Sequence, residues 1–378
     1  MPKNKKNKIK IPYGHQWIDS DDIKGVVKVL KSDWLTQGPK IEEFEKAVAK
    51  YCGAKYGVAV SSGTSALYIA YKAAGIKNGD EIITTPLTFA ATGNMMAMLG
   101  AKPVFVDVDR VTLNINPLEI ERKINSKTKA IVPVDFAGNP CNYDEIFKIA
   151  RKNNLLVIED ACHALGAEYK GKKIGSFSDM TVLSFHPVKH ITTGEGGMVL
   201  TNNENFYNKL KVFRNHGMIK KPENGSWYYE IEEPSFNFRI TDMQCALGIS
   251  QLKKLNKFLQ KRRQIVKKYD EAFRGFKNIV IPSEEKLAKS AWHLYVVQVL
   301  GDRRKIFDLL QEKGIGAQVH YMSLHMHPFY KNKFGYKEGD FPIAEKYYQR
   351  AITMPIFPGM RDKDVQYVIK SLKWILSA

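Results

Sequence analysis

No uninterrupted apolar run in this chain approaches the roughly 20 residues that a helix needs to cross a bilayer, so a membrane-spanning protein is not expected. Cysteine is scarce, with only Cys52, Cys141, Cys162 and Cys245. No two are spaced as CxxC and no Cys/His cluster has zinc-ligand spacing, which argues against a disulfide scaffold and against a structural metal site. Unpaired, mostly buried thiols in a reducing compartment are expected instead. The nucleotide-binding motifs GxGxxG and Walker A are both missing, which disfavours a Rossmann dehydrogenase and a P-loop enzyme. Acidic residues are outnumbered, 39 against 58 Lys and Arg, leaving a formal charge of +19. That surplus is spread along the chain, with one dense run at Lys3 to Lys10, and no RRM, zinc-finger or basic-zipper pattern accompanies it. General solvation and attraction of an anionic small substrate are therefore favoured over nucleic-acid binding. The polar, lysine-rich start, Met1 to Lys10, has no apolar stretch behind it and does not read as a signal peptide. Asn224-Gly-Ser226 fits a glycosylation sequon, but nothing else implies secretion, and a cytoplasmic protein is expected.

What the chain does have is length and order. Its 378 residues, 44% hydrophobic, can fill a sizeable core and two or three structural units. Short apolar runs read as strands at 57–60, 81–85, 103–107, 130–135, 155–159, 181–185 and 198–201. Helical patterns lie between most of them, at 64–74, 91–99 and 144–153. Such alternation predicts a mostly parallel sheet covered on both faces. From Leu252 to Phe273 the pattern predicts one long amphipathic helix, followed by a strand at 294–299 and helices at 304–313 and 363–376. The predicted division is an N-terminal arm plus large α/β domain at 1–256 and a small α+β domain at 257–378.

Four strings sit where the predicted strands end. Ser184-Phe-His-Pro-Val-Lys189-His-Ile-Thr-Thr-Gly-Glu-Gly-Gly197 places a lysine in a Ser/Thr/Gly-rich loop. Lysine is the side chain that forms Schiff bases with carbonyl compounds. Most lysines are surface charges, and only the surrounding string singles this one out. Glu159-Asp160-Ala-Cys-His163-Ala-Leu-Gly166 places a carboxylate at the carboxyl end of a strand, where open α/β sheets bind ligands. It could keep a heterocyclic nitrogen protonated, although an Asp after a strand is more often a cap. Ser61-Ser-Gly63-Thr64-Ser-Ala-Leu67 could bring helix N–H groups to a phosphate, or be ordinary N-capping. Thr84-Thr-Pro-Leu-Thr-Phe89 offers an aromatic ring that could stack on a flat group or fill the core.

Taken in this order, the strings resemble the fold-type I pyridoxal-phosphate (PLP) enzymes, and more narrowly the DegT-type nucleotide-sugar aminotransferases. Leu35-Thr-Gln-Gly-Pro39, Arg214-Asn-His-Gly217, Asn237-Phe-Arg239, Gln244-Cys-Ala-Leu-Gly248 and Gln318-Val-His320-Tyr321 extend the resemblance over nearly the whole chain. It implies an aspartate-aminotransferase-like fold, with a mostly parallel seven-stranded sheet and a small C-terminal domain. It also implies roles. Lys189 and Asp160 would be catalytic, the first binding PLP covalently and the second pairing with its pyridine nitrogen. His163 would lie near the O3′ oxygen, Phe89 would stack on the ring, and Gly63, Thr64 and Ser184 would hold the phosphate. Asn237 would reach that phosphate from a second subunit of a homodimer with shared sites. Arg239, His320 and Tyr321 would face the substrate. Some relatives carry histidine in place of the lysine and are dehydratases; here histidine is only the neighbour, His190, and transamination is implied.

Within the family the strings are most similar to the subgroup that makes a pseudaminic acid precursor. The implied reaction moves an amino group from L-glutamate, leaving 2-oxoglutarate, to the C4 keto group of a UDP-linked 4-keto-6-deoxy-N-acetylhexosamine. Another nucleotide-linked sugar, or a non-catalytic protein on the same fold, are the alternatives.

Overall fold

The computed structural model describes residues 9–377. Of the basic run at Lys3 to Lys10, all but Ile9 and Lys10 lies outside the described residues. The central sheet has seven strands: β1 (Tyr56–Val60), β2 (Glu81–Thr84), β3 (Lys102–Phe105), β4 (Thr128–Val132), β5 (Leu156–Asp160), β6 (Met180–Ser184) and β7 (Gly197–Thr201). Their order across the sheet is β1-β7-β6-β5-β4-β2-β3. Only β7 runs against its neighbours, β1 and β6; the remaining pairs are parallel.

The period-2 alternation of strand side chains divides the apolar residues between two cores. Val58, Ile82, Val132, Ile158, Val182 and Val199 point to one face and pack with the helix Gly63–Ala73. Ala59, Ile83, Ile131, Val157, Leu183 and Leu200 point to the other, towards Phe44, Val48 and Ile146. Both faces are covered, which explains why these strands read as unbroken apolar runs.

The predicted helix from Leu252 to Phe273 is present, beginning three residues later, at Leu255, and running to Phe273. Leu252 instead ends a preceding helix, Asp242–Leu252, and a short turn separates the two. Tertiary contacts turn the chain between them. Gln251 Nε2 donates to Trp17 O (2.8 Å) and to Asp22 Oδ2 (2.7 Å), and Lys254 Nζ pairs with Asp19 (2.6 Å) and Asp22 (2.8 Å). Nothing local in a charged, helix-favouring stretch reveals contacts made more than two hundred residues away.

The long helix joins two apolar clusters. Leu255, Phe258 and Leu259 belong to the core under the large sheet. Ile265, Val266, Tyr269 and Phe273 belong to a second one, with the antiparallel strands β8 (Ile279–Val280), β9 (Tyr295–Val299) and β10 (Ala351–Met354). Between them Arg262 is fully buried, and its Nη1 donates to the carbonyls of Trp292, His293 and Ile356 at 3.1–3.2 Å. Burial pushes its guanidinium down to about 10. The helices Arg303–Glu312 and Asp362–Ser377 complete this second layer. No helix among the described residues is long and apolar enough to cross a membrane.

Candidate active site

The carboxyl ends of the parallel strands open into a cleft of about 480 Å³. Nine of the residues singled out from the sequence line it: Gly63, Thr64 and Phe89 from the first half of the sheet, Asp160, His163, Ser184 and Lys189 from its centre, and His320 and Tyr321 from the region between β9 and β10. Asn237 and Arg239 do not. Asn237 is exposed, and Arg239 lines a separate hollow with Arg214 and Asn215, to whose Oδ1 it donates.

Lys189 lies in the turn after β6, which is held by backbone bonds: Lys189 N donates to His186 O (2.9 Å) and Thr193 N to Phe185 O (3.0 Å). Thr192 Oγ1 also donates to Phe185 O at 3.0 Å. The Lys189 amine makes no hydrogen bond or ion pair among the described residues, and burial pushes it below the usual lysine range, with Cys162 and Asp160 opposing that shift. An amine with a larger free-base fraction is a better nucleophile and proton acceptor.

Asp160 ends β5 and is 5% exposed. Its carboxylate is held on both oxygens. Thr92 Oγ1 donates to Oδ2 at 2.7 Å, and Cys162 N donates to Oδ1 at 3.3 Å. Thr92 is in turn bonded to Thr88 at 2.8 Å. One residue back, Glu159 points to the opposite face, where it is fully buried near Asp135. Burial pushes both of these carboxyls above their ordinary range.

The anion end of the cleft is the start of the helix Gly63–Ala73. Ser62 caps it, accepting from Ser65 N at 3.1 Å, and the first-turn N–H groups carry the positive end of the helix dipole. Space at position 63 is tight. A Cβ there would sit 3.0 Å from Ser184 Cβ and 3.3 Å from Cys162 Sγ.

Four imidazoles, those of His163, His190, His293 and His320, gather in and beside the cleft. His163 and His293 have ring centroids 4.5 Å apart, and His190 is 5.5 Å from His293, with its Nε2 donating to Ala291 O at 3.1 Å. His163 Nε2 is bonded to the Tyr321 hydroxyl at 3.1 Å, while its buried Nδ1 has no partner among the described residues. Burial, reinforced by the charge on Lys189, pushes His163 well below the usual histidine range and His320 down to about 3. These rings are neutral at physiological pH, so each has one donor and one acceptor nitrogen.

Tyr13, Thr92 and His293 reach the cleft although the sequence reading assigned them no role. Thr92 and His293 carried weak signals: Thr92 lies four residues after Thr88, one helical turn, and His293 interrupts the apolar stretch Ala291 to Val297. Tyr13 carried none.

These residues suit PLP on three counts. A glycine in tight surroundings stands at the helix N-terminus, where a phosphate would approach. A neutral imidazole presents an unpartnered buried nitrogen. A carboxylate and an unpaired lysine amine face one cleft, matching the needs of a pyridine nitrogen and an aldehyde.

Comparison with known proteins agrees. The family model for the DegT/DnrJ/EryC1/StrS aminotransferases matches residues 16–373. The chain is 43% identical to the spore coat polysaccharide biosynthesis protein SpsC of Bacillus subtilis, with 97% of each chain covered. It is 41% identical to the UDP-4-amino-4,6-dideoxy-N-acetyl-beta-L-altrosamine transaminase of Campylobacter jejuni, again over 97% of each. Its fold superposes with a TM-score of 0.92 on the PLP form of the putative sugar aminotransferase Spr1654 of Streptococcus pneumoniae, at 32% identity, covering 97% of this chain and 98% of the other. The chain belongs to the DegT/DnrJ/EryC1/StrS aminotransferase family and is a PLP-dependent transaminase.

Proposed function

We propose that this transaminase moves the amino group of L-glutamate to the C4 keto group of a UDP-linked 4-keto-6-deoxy-N-acetylhexosamine. The observation that carries the substrate is the 41% identity, along nearly all of both chains, to a transaminase named for a UDP-linked 4-amino-4,6-dideoxy-N-acetylhexosamine, the amino sugar that such a substrate would yield. The charge of +19 supports a diphosphate-linked substrate. A second reading, amination of a different nucleotide-linked keto sugar, is favoured by the slightly higher identity to SpsC, a protein named for spore coat polysaccharide biosynthesis.

PLP supplies a carbonyl carbon that amines attack and a ring that accepts the electrons left on a deprotonated carbon. In this reading Ser184, Gly63 and Thr64 hold its phosphate, Phe89 covers its ring, His163 meets its O3′ oxygen and Asp160 pairs with its nitrogen. Lys189 Nζ takes a proton from Cα of the amino donor and later returns one to C4 of the sugar, acting as base and then as acid. Because 2-oxoglutarate leaves the cleft before the keto sugar enters it, the kinetics are ping-pong.

Asn237 and Arg239 lie outside their own chain's cleft, which supports a homodimer in which each subunit lends them to its partner. Mixing subunits of Lys189→Ala and Asn237→Asp tests this. One site of each mixed dimer would keep both groups, so activity should reappear. Verified mixed dimers that stay inactive would exclude sharing through Asn237. We place the enzyme in the cytoplasm, in keeping with four cysteines that form no disulfide.

The substrate is tested by assaying purified protein with glutamate against UDP- and dTDP-linked 4-keto sugars. A kcat/KM at least tenfold higher for the UDP-linked 4-keto-6-deoxy-N-acetylhexosamine is expected, an energy difference of about 1.4 kcal/mol. Preference for a dTDP-linked sugar would favour the second reading.

A further inference from the structure

The N-terminal arm forms no helix or long strand, yet it is held in place residue by residue. Lys10 N and Ile11 N both donate to Gly314 O, at 2.8 and 3.1 Å, and Gly316 N donates back to Ile11 O at 2.7 Å. Ile356 N donates to Tyr13 O at 3.0 Å. Ile11 is 7% exposed and packs into the second core. The approach is close enough that a side chain at Gly316 would crowd the arm, its Cβ lying 3.0 Å from both Pro12 Cα and Tyr13 N. Gly14 similarly lies against Val188, the residue before Lys189. Fixing an irregular segment costs roughly 1–2 kcal/mol per residue in backbone entropy.

What this anchoring delivers to the cleft is one side chain. The Tyr13 ring tilts against His320 with centroids 5.5 Å apart, and it lines the cleft with Lys189, Val188 and Tyr321. Its backbone carbonyl is used, but its hydroxyl makes no hydrogen bond among the described residues. A half-buried phenol that faces a ligand cleft with a free hydroxyl is a donor and acceptor awaiting a partner. Burial pushes that hydroxyl above the usual tyrosine range, so it is neutral. A neutral hydroxyl can both donate to and accept from the hydroxyl and acetamido groups of a sugar, whereas towards the carboxylates of glutamate it can use only its donor.

We propose that Tyr13 is a substrate-positioning residue that grips the hexose ring of the keto-sugar substrate, making the N-terminal arm part of the sugar site. This rests on the proposed use of a UDP-linked sugar. The test is Tyr13→Phe, which keeps the ring on His320 and removes only an unpartnered hydroxyl, so folding and melting temperature should not change. Titration of the PLP-loaded protein with UDP-N-acetylglucosamine should show binding weakened roughly 3- to 10-fold, the worth of one neutral hydrogen bond. Binding of UDP alone should be unchanged. In turnover, KM for the UDP-linked 4-keto sugar should rise by a similar factor, with kcat and the glutamate KM within about twofold of wild type. Equal affinity of wild type and Tyr13→Phe for UDP-N-acetylglucosamine would overturn the proposal, as would equal losses for UDP and its sugar. Failure of the wild type to aminate any UDP-linked keto sugar would instead refute the proposed substrate, and the two failures are read in separate measurements.

Discussion

Replacing Lys189 with alanine is expected to abolish transamination, with kcat falling by roughly 10⁴-fold or more, because one amine supplies both the covalent attachment and the proton transfer. The fold should survive. The turn that carries Lys189 is tied by backbone bonds and by Thr192 and Thr193, none of which uses the lysine side chain. The amine itself makes no hydrogen bond or ion pair among the described residues, and burial lowers its proton affinity. A group whose folded pKa is lowered contributes no stability when protonated, so the melting temperature of the variant should be unchanged or slightly raised at neutral pH. Lys189→Arg should be equally inactive, since guanidinium keeps the charge but neither attacks a carbonyl nor gives up a proton near neutral pH. The measurements are steady-state turnover and the visible absorbance of lysine-bound PLP, which glutamate should bleach in wild type and which both variants should lack. Multiple turnover near the wild-type rate by either variant would remove Lys189 from the mechanism.

The large sheet was legible in the sequence because a strand buried on both faces must be apolar at every position. The runs at Ile82–Ile83, Ala130–Val132 and Val157–Ile158 satisfy both cores at once, and their ends locate the cleft. Lys189, Asp160 and Gly63 were singled out by the strings around them, which stand at or a few residues beyond strand ends, and the structure brings all three to one cleft. What escaped depends on partners distant in sequence. The strand β10, Ala351–Met354, exists through its pairing with β9, more than fifty residues earlier. The break at Lys253–Lys254 depends on Asp19 and Asp22. Tyr13 and His293 come to one cleft from opposite parts of the chain, and no spacing rule links them. For Asn237 and Arg239 the string was legible but the destination was not, since the cleft of their own chain does not contain them.

Asp160 yields the other large effect, and the geometry allows its charge to be separated from its shape. The carboxylate is 5% exposed, accepts from Thr92 Oγ1 and Cys162 N, and faces the cleft from the end of β5. A negative charge held there favours the protonated form of an adjacent pyridine nitrogen, and removing such a partner shifts a pKa by roughly 1–3 units. Each unit is a tenfold change in the protonated fraction once the nitrogen titrates below the working pH. Asp160→Ala should therefore slow the single-turnover reaction with glutamate by roughly 10- to 1000-fold. The covalent attachment of PLP to Lys189 should persist, because it does not need the ring charge. Alanine also strands the Thr92 hydroxyl and the Cys162 N–H, at a cost to stability of about 1–3 kcal/mol each. Asp160→Asn controls for that loss: it nearly preserves the shape and one acceptor oxygen but not the charge. If charge is what matters, Asn should be almost as slow as Ala while melting closer to wild type. Thr92→Val gives the complementary control, since it removes one orienting bond and leaves the charge, and its rate should fall by about tenfold or less. Single-turnover rates for Asp160→Ala equal to wild type would show that the ring nitrogen is served by another group. A fast Asp160→Asn beside a slow Asp160→Ala would show that Asp160 works by hydrogen bonding and not by charge.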